Sequence, residues 1–415
     1  MRHFVHFTPV SKAKEAQTES DTQWIAQRRA KRLLQVYLPT EYLSLEKSGV
    51  ILNWIQMISL FQPIEPELHV AIKALQTALE ARSIGATLSS VTSLQHYNEL
   101  LELMKEAVAK AALRASPGLI LSCMLMSLYE AFEGADLPIF GWQSHTNGVM
   151  SLAHAVGAPA FQKGPSLELY RGFRRSAIVS GMVSRQPIML ALKPWRQEEW
   201  DIADHSMESS LVAWSDRLDQ ILVDLPGRLC QIDELTARRA SRRNLEDFSS
   251  TLRAVYNWLE MFDGRLQLWG ETVAHSGIPL YFDKRIFDEE AMFPILHPLL
   301  LYHTSKMLCA CALRQLQVNP GNNLTNILSQ SSDAGDCNVD AITAAIPFLV
   351  AGGMSYLGRN LISWPLGAAI RYIEDSVAAV PCAGAQAREV NEAKLEALRD
   401  AVEKLGMTGL PRQRH

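Results

Sequence analysis

The sequence predicts an all-α protein: a large single helical domain built as an irregular multi-helix bundle. Three observations carry this expectation. Apolar residues recur at helical spacing in one segment after another. Strand-like alternation bounded by hairpin turns is essentially absent. The chain is 48% hydrophobic and 20% charged over 415 residues, ample for a sizeable core, and no stretch has the composition of an interdomain linker.

Taken in order, residues 1–20 are polar and read as a flexible tail, with the helical domain spanning 21–415. A basic run, Gln27 to Arg32, lies on a helix expected to bury Ile25, Leu33 and Leu34. Leu68, Ile72, Leu75 and Leu79 mark a second helix, and Leu94, Tyr97, Leu101, Met104 and Val108 a longer third. From Gly118 an apolar run ends in Tyr129 and Glu130. A loop containing Gly and Pro follows, and then a second short apolar helix that stops at Gly157.

Ser166 reads as the N-cap of a helix through Leu169, Phe173 and Ile178. Leu211, Trp214, Leu218 and Leu222 mark another helix, and Leu245 to Phe262 repeats at alternating three- and four-residue steps. Further helices are expected from Glu289 towards Gln315, from Asp340 to Tyr356 and from Val390 to Leu405. Residues 319–338, rich in Asn, Ser, Gly and Asp, read as a mobile loop. No repeat of fixed period appears, which argues against a regular solenoid.

Charge and cysteine usage narrow the function classes. A formal net charge of -4 gives no support for chain-wide attraction to phosphate backbones. The six cysteines are scattered, several within apolar helical pattern, which fits a reducing compartment better than a disulfide framework. The N-terminus lacks the apolar core of a secretory signal. The run Leu119–Met126 falls well short of the about 20 apolar residues needed to span a bilayer.

Metal, nucleotide and hydrolase signatures are missing. Cys309 and Cys311, two apart on a helix, point in roughly opposite directions, and the His3/His6 pair sits on the expected tail. Gly352–Gly358 lacks the lysine and the preceding strand of a phosphate-binding loop, so close helix packing is the expected use of its glycines. No nucleophile elbow occurs. The sequence thus points to no metal and no cofactor.

The remaining polar candidates are Glu130, Trp142, His145, Arg171, Trp195 and His297. A carboxylate at the end of a buried helix must be paired or near solvent, and His145 is a natural partner for Glu130. Three readings follow for these residues: a structural clasp between two helices, which is preferred, a ligand pocket, or an acid–base pair. Trp195 and Trp364 each adjoin a proline and read as core anchors. Arg28, Arg29, Lys31 and Arg32 form either the solvated face of a helix or a nuclear-import patch. Arg238, Arg239, Arg242 and Arg243 read as a second wet face.

The motif order resembles the regulatory region of fungal zinc binuclear cluster transcription factors. Leu121–Phe132 is similar to that family's helix ending in Tyr-Glu-x-Phe, and Gly141–Leu152 to its Gly-Trp-x-x-His-x-x-Gly segment. Ala71–Ser83, Arg171–Pro187 leading to Trp195, and Leu361–Ile373 with its Trp-Pro add to the resemblance, which covers most of residues 65–405. It implies a nuclear, all-helical effector domain, acting through protein partners of the transcription machinery or as a homodimer. A related domain that binds a sterol makes a small apolar ligand plausible.

The chain departs from the family at one point: the first cysteine is Cys123, so the paired Cys-x-x-Cys motifs of the zinc cluster are absent from this sequence. Specific DNA binding by this chain alone is therefore not expected, nor is a membrane partner. The rival expectation is a cofactor-free cyclase or isomerase of secondary metabolism built on the same scaffold, working by positioning and one or two polar groups. A third is a partner protein that dimerises through an uncovered apolar stripe on the Leu245–Phe262 helix. The nucleus is the expected location, with the cytoplasm as the alternative.

Overall fold

The computed structural model describes residues 10–38, 54–59, 61, 63–83, 91–110, 116–133, 140–196, 210–240, 245–282, 289–317, 325–350, 355–379 and 385–405. Among these residues the protein is all helical, with no strand. Thirteen α-helices pack as one multi-helix domain: α1 (Val10–Tyr37), α2 (Pro66–Ser83), α3 (Val91–Lys110), α4 (Pro117–Glu133), α5 (Phe140–Val156), α6 (Pro165–Ser184), α7 (Ser210–Leu222), α8 (Leu225–Ala240), α9 (Leu245–His275), α10 (Glu289–Gln317), α11 (Thr325–Val350), α12 (Ser355–Ala379) and α13 (Ala385–Lys404).

The N-terminal helices surround α4. On α1 the stripe Ala26, Ala30, Leu33, Leu34 and Tyr37 is buried. Ile25, expected in that core, is instead 42% exposed, because the stripe centres on the small Ala26 and Ala30 and leaves position 25 at its edge. Gln23 fastens α1 to the approach of α2: its side-chain amide donates to the Ile64 carbonyl at 3.0 Å and accepts the Ile64 N–H at 2.8 Å. The stripe on α3 is also turned from the expected one. Tyr97, Leu100 and Met104 are buried, while Leu94 and Val108 face solvent.

Helix α4 starts where three signals coincide. Ser116 Oγ accepts the Leu119 N–H at 3.0 Å, Pro117 fills the first turn, and Glu65 accepts the Ser116 hydroxyl proton at 2.6 Å. The helix is buried on nearly all sides from Gly118 to Met126. Helix α5 ends, as expected, at Gly157, whose φ of 88° a residue with a Cβ rarely adopts.

Several boundaries differ from expectation. Helix α1 begins at Val10, so residues 10–20, placed in a flexible tail, form its first turns. The segment is rich in Lys, Ala, Glu and Gln and has no helix breaker, so its polar composition is compatible with helix. Ser166 is not a cap: the cap position is Gly164, two residues earlier, and α6 opens at Pro165. From Thr325 onward the expected mobile loop is helix α11, whose Asn, Ser and Asp residues are tolerated along it. The expected helix from Asp340 to Tyr356 is two, since α11 ends at Val350 and α12 begins at Ser355.

The C-terminal half closes onto the N-terminal half. On α9 the residues Val255, Leu259, Phe262, Leu266, Trp269 and Val273 are buried, so this run of the apolar stripe is covered by the protein itself. Helices α10, α11 and α12 pack on one another, and α12 reaches back to α1 and α2. There Tyr356 donates to the Leu79 carbonyl at 2.9 Å and Asn360 to the Tyr37 hydroxyl at 3.1 Å. Phe132 sits edge-to-face between Tyr37 and Tyr356. Among the described residues no helix is long and apolar enough to cross a membrane.

Candidate functional site

The helix junction singled out in the sequence is joined by a residue from a third helix. Tyr97 of α3 donates its phenolic proton to Glu130 Oε1 of α4 at 2.5 Å, and its oxygen lies 2.6 Å from His145 Nε2 of α5. Glu130 and His145 are thus partners through Tyr97. The Tyr97 ring stacks on Tyr129 at 4.4 Å and meets the His145 ring edge-on at 6.1 Å. Beneath this pair, Ser93 Oγ lies 3.0 Å from the Tyr129 hydroxyl and 3.4 Å from the Ala74 carbonyl, which extends the polar chain to α2.

Small residues let α4 and α5 approach closely enough for these contacts. A Cβ on Gly141 would collide with the Glu130 carboxylate, and one on Gly148 would stand 3.2 Å from Cys123 Sγ. Ser127 donates to the Trp142 carbonyl at 2.9 Å, Thr146 donates to the same oxygen at 2.9 Å, and the Cys123 thiol points at the His145 carbonyl at 3.3 Å. The recurring Gly, Ser, Thr and Cys of this stretch are therefore the contact surface of a tight helix pair. Trp142, half-buried at the start of α5, enters the junction through its backbone oxygen.

The protonation states follow from burial. Burial pushes the Tyr97 phenol far above its usual range, and the hydrogen bond to Glu130 and that carboxylate's charge add to the shift. Burial holds His145 below its ordinary value, against the opposing pull of Glu130. At neutral pH Tyr97 keeps its proton and His145 is uncharged. A phenol has one proton, so with it given to Glu130 the His145 ring must donate from Nε2. Burial also raises the Cys123 thiol to about 12, which leaves it an inert packing group.

Arg171 belongs to a second constellation, between α6 and α7. It pairs with Glu168 at 2.6 Å and Asp216 at 2.9 Å. Beside it Arg174, 2% exposed, contacts Asp216 at 2.5 Å and Asp219 at 2.8 Å, and Arg175 also reaches Asp219, at 3.1 Å. Three guanidinium groups thus face three carboxylates. Burial works against the Arg174 charge, but Asp219 and Asp216 outweigh it and hold the group protonated.

Trp195 caps this region. Two short 3-10 turns, Met189–Ala191 and Lys193–Trp195, bring it back over α6, where the Tyr170 hydroxyl donates to its carbonyl at 2.5 Å. Its indole lies against Tyr170 and Phe161, and the Arg174 guanidinium lies over the Tyr170 ring at 5.3 Å from its centre. The cavity lined by Tyr170, Arg174, Leu190 and Trp195 measures about 10 Å³, room for a single water.

Of the expected site residues, Glu130, Trp142 and His145 share one junction, whereas Arg171 and Trp195 sit together in another. His297 lies on α10, where burial, with the Arg175 charge adding to it, lowers its pKa to about 3. On α1, Arg28, Lys31 and Arg32 face solvent and Arg29 is half-buried. His3, His6, Arg242 and Arg243 lie outside the described residues. Among those described, no three His, Cys, Asp or Glu side chains are placed to hold a metal ion.

Sequence reasoning missed the groups that complete each cluster. Tyr97 read as one more apolar position of α3, and nothing local linked Asp216 and Asp219 to the arginines some 45 residues earlier. It also missed His303, which is buried with Nδ1 2.8 Å from Asn338 Oδ1 and Nε2 2.8 Å from the Leu280 carbonyl. Fold and junctions together define a helical domain whose inner polar residues bind helix to helix. Compared with known proteins, the chain matches no family model, no curated protein and no solved structure.

Proposed function

We propose that the chain is a regulator-type protein: a helical effector domain that controls transcription through protein partners, and does not by itself read a DNA sequence. One observation carries the reading. Glu130, His145, Arg171 and Trp195, residues on which the resemblance rests, are each engaged with other parts of the fold, as expected of a scaffold whose function lies in what it binds. The net charge of -4 agrees with a protein that meets DNA only through others. Arg28, Lys31 and Arg32, exposed on α1, suit nuclear import.

The test is to tether the full chain to a heterologous DNA-binding module in a fungal reporter strain. A several-fold change in reporter output, up or down, relative to the module alone supports the reading. No change, with the fusion present in the nucleus at the same level, overturns it. So does tight, sequence-specific binding of the purified chain to a promoter duplex.

The rival reading is a cofactor-free cyclase or isomerase. It is favoured by the sharing of the Tyr97 oxygen between a carboxylate and an imidazole, an arrangement able to move a proton. A Tyr97→Phe protein that keeps its full stability yet abolishes formation of a metabolite in the source organism would favour it over the regulator.

A further inference from the structure

Helix α1 carries an exposed indole among cations. Trp24 is 59% exposed and Ile25 42%, both on the edge of a helix whose core stripe does not use them. The Arg28 guanidinium lies 5.4 Å from the centre of the Trp24 ring. Arg29 and Lys31 follow along the same helix, and Arg32 reaches across to Glu80 of α2 at 3.1 Å. Between the two helices these side chains border a surface trough of about 740 Å³.

Two properties of the trough identify its occupant. The first is charge. Glu80 is the acid in its lining and is taken up by Arg32, so Arg28, Arg29 and Lys31 leave a positive surface on a chain of net charge -4. His69 on α2, held below its ordinary value chiefly by burial, is pushed further down by the Arg29 charge. The second is the apolar pair. An exposed Trp beside an exposed Ile, rimmed by charge, is the composition of a protein-binding hot spot.

We infer that the trough between α1 and α2 docks an acidic, amphipathic peptide segment of a partner protein. The partner's carboxylates meet Arg28, Arg29 and Lys31, and its apolar side chains lie on Trp24 and Ile25. Segments that alternate acidic and apolar residues have this pattern and order themselves on binding. A nucleic acid fits less well. The chain's net charge of -4 opposes attraction to a phosphate backbone, and Ile25 offers nothing to a sugar–phosphate chain.

The inference takes its setting from the regulator reading but is measured on the purified chain, so it and the tethering experiment can fail separately. The probe is a fluorescein-labelled peptide of about 20 residues alternating Asp or Glu with Leu or Phe, followed by anisotropy against the full chain. Saturable binding is expected. Replacing every Leu and Phe of the peptide by Ser, or Trp24 of the protein by Ala, weakens it about tenfold or more. Arg28→Glu combined with Lys31→Glu abolishes it. The variants lie on the solvated face, and an unchanged urea midpoint confirms that each is folded.

A photo-crosslinking version of the peptide, used on the unsubstituted chain, yields adducts within residues 24–35 of α1 or 76–80 of α2, the two walls of the trough. Three results overturn the inference: no saturable binding up to about 0.1 mM, equal affinity for the Ser peptide, or a DNA oligonucleotide of matched charge binding more tightly than the peptide. Adducts mapping elsewhere on the chain also overturn it.

Discussion

Tyr97 and Glu130 meet at 2.5 Å, a phenol from one helix donating a hydrogen bond to a carboxylate on another. With His145 Nε2 at 2.6 Å on the same phenolic oxygen, three helices are joined at one atom. A charged acceptor strengthens such a bond, and leaving a buried partner unsatisfied is costly. The stability of the α3–α4–α5 corner therefore depends on keeping the acceptor on Glu130 more than on keeping its charge.

That distinction can be measured at position 130. Glu130→Gln retains an oxygen facing Tyr97, whereas Glu130→Leu removes that acceptor and forces the phenol to turn its proton to the His145 ring. The Leu variant is expected to lose about 1–3 kcal/mol, and the Gln variant less, in equilibrium urea unfolding. An equal loss in both would make charge, not hydrogen bonding, the active property.

Gly141 tests the closeness of α4 and α5. A methyl there meets the Glu130 carboxylate, which Tyr97 holds in place, so the side chain cannot simply swing away. Gly141→Ala is expected to cost about 1–3 kcal/mol. In a Glu130→Ala background the same substitution should cost much less. If the two losses simply add, the glycine has some other role.

Arg174 tests the ion cluster. Arg174→Met leaves Asp219, which is 1% exposed, with Arg175 as its remaining guanidinium partner, and is expected to destabilise the protein by about 1–3 kcal/mol. Adding Asp219→Leu removes the under-compensated charge and should restore part of that loss. Denaturant midpoints of the single and double variants decide it; a double variant weaker than the single one would contradict this account.

Acid should weaken the fold through its histidines. His145, His297 and His303 all have lowered pKa values, each chiefly through burial, so the folded state binds their protons less readily than the unfolded chain does. Their stabilisation is complete above the ordinary histidine pKa of about 6.5. It is lost as pH falls below that value, continuing towards about 3 for His297. Each such histidine contributes up to about 1.4 kcal/mol per pH unit in that window. Urea unfolding at pH 7.5 and 5.5 should show the fall, and His297→Gln should make it shallower.

The sequence made the helices legible because their apolar periods are strong, and the short helix before Gly157 because its apolar run stops at that glycine. It misled where the local signal was ambiguous. Ile25 fits a helical stripe as well as Ala26 does, and only the approach of neighbouring helices selects the alanines. Polarity suggested coil for residues 10–20 and for the segment after Thr325, although helix formers and tolerated polar residues occupy both. The site was half visible. Glu130 and His145 are close in sequence and could be paired on sight, but Tyr97 lies 33 and 48 residues away on a helix where it looks like any other core position.

The central claim is that Tyr97 and His145 act as a structural clasp. The most direct test is a double-mutant cycle with Tyr97→Phe and His145→Ala, read by equilibrium urea unfolding at pH 7.5. A clasp requires the two substitutions to be coupled by about 0.5–3 kcal/mol, the second costing little once the first has broken the junction. Losses that add to within about 0.3–0.5 kcal/mol, or a Tyr97→Phe protein as stable as the unsubstituted one, would contradict it.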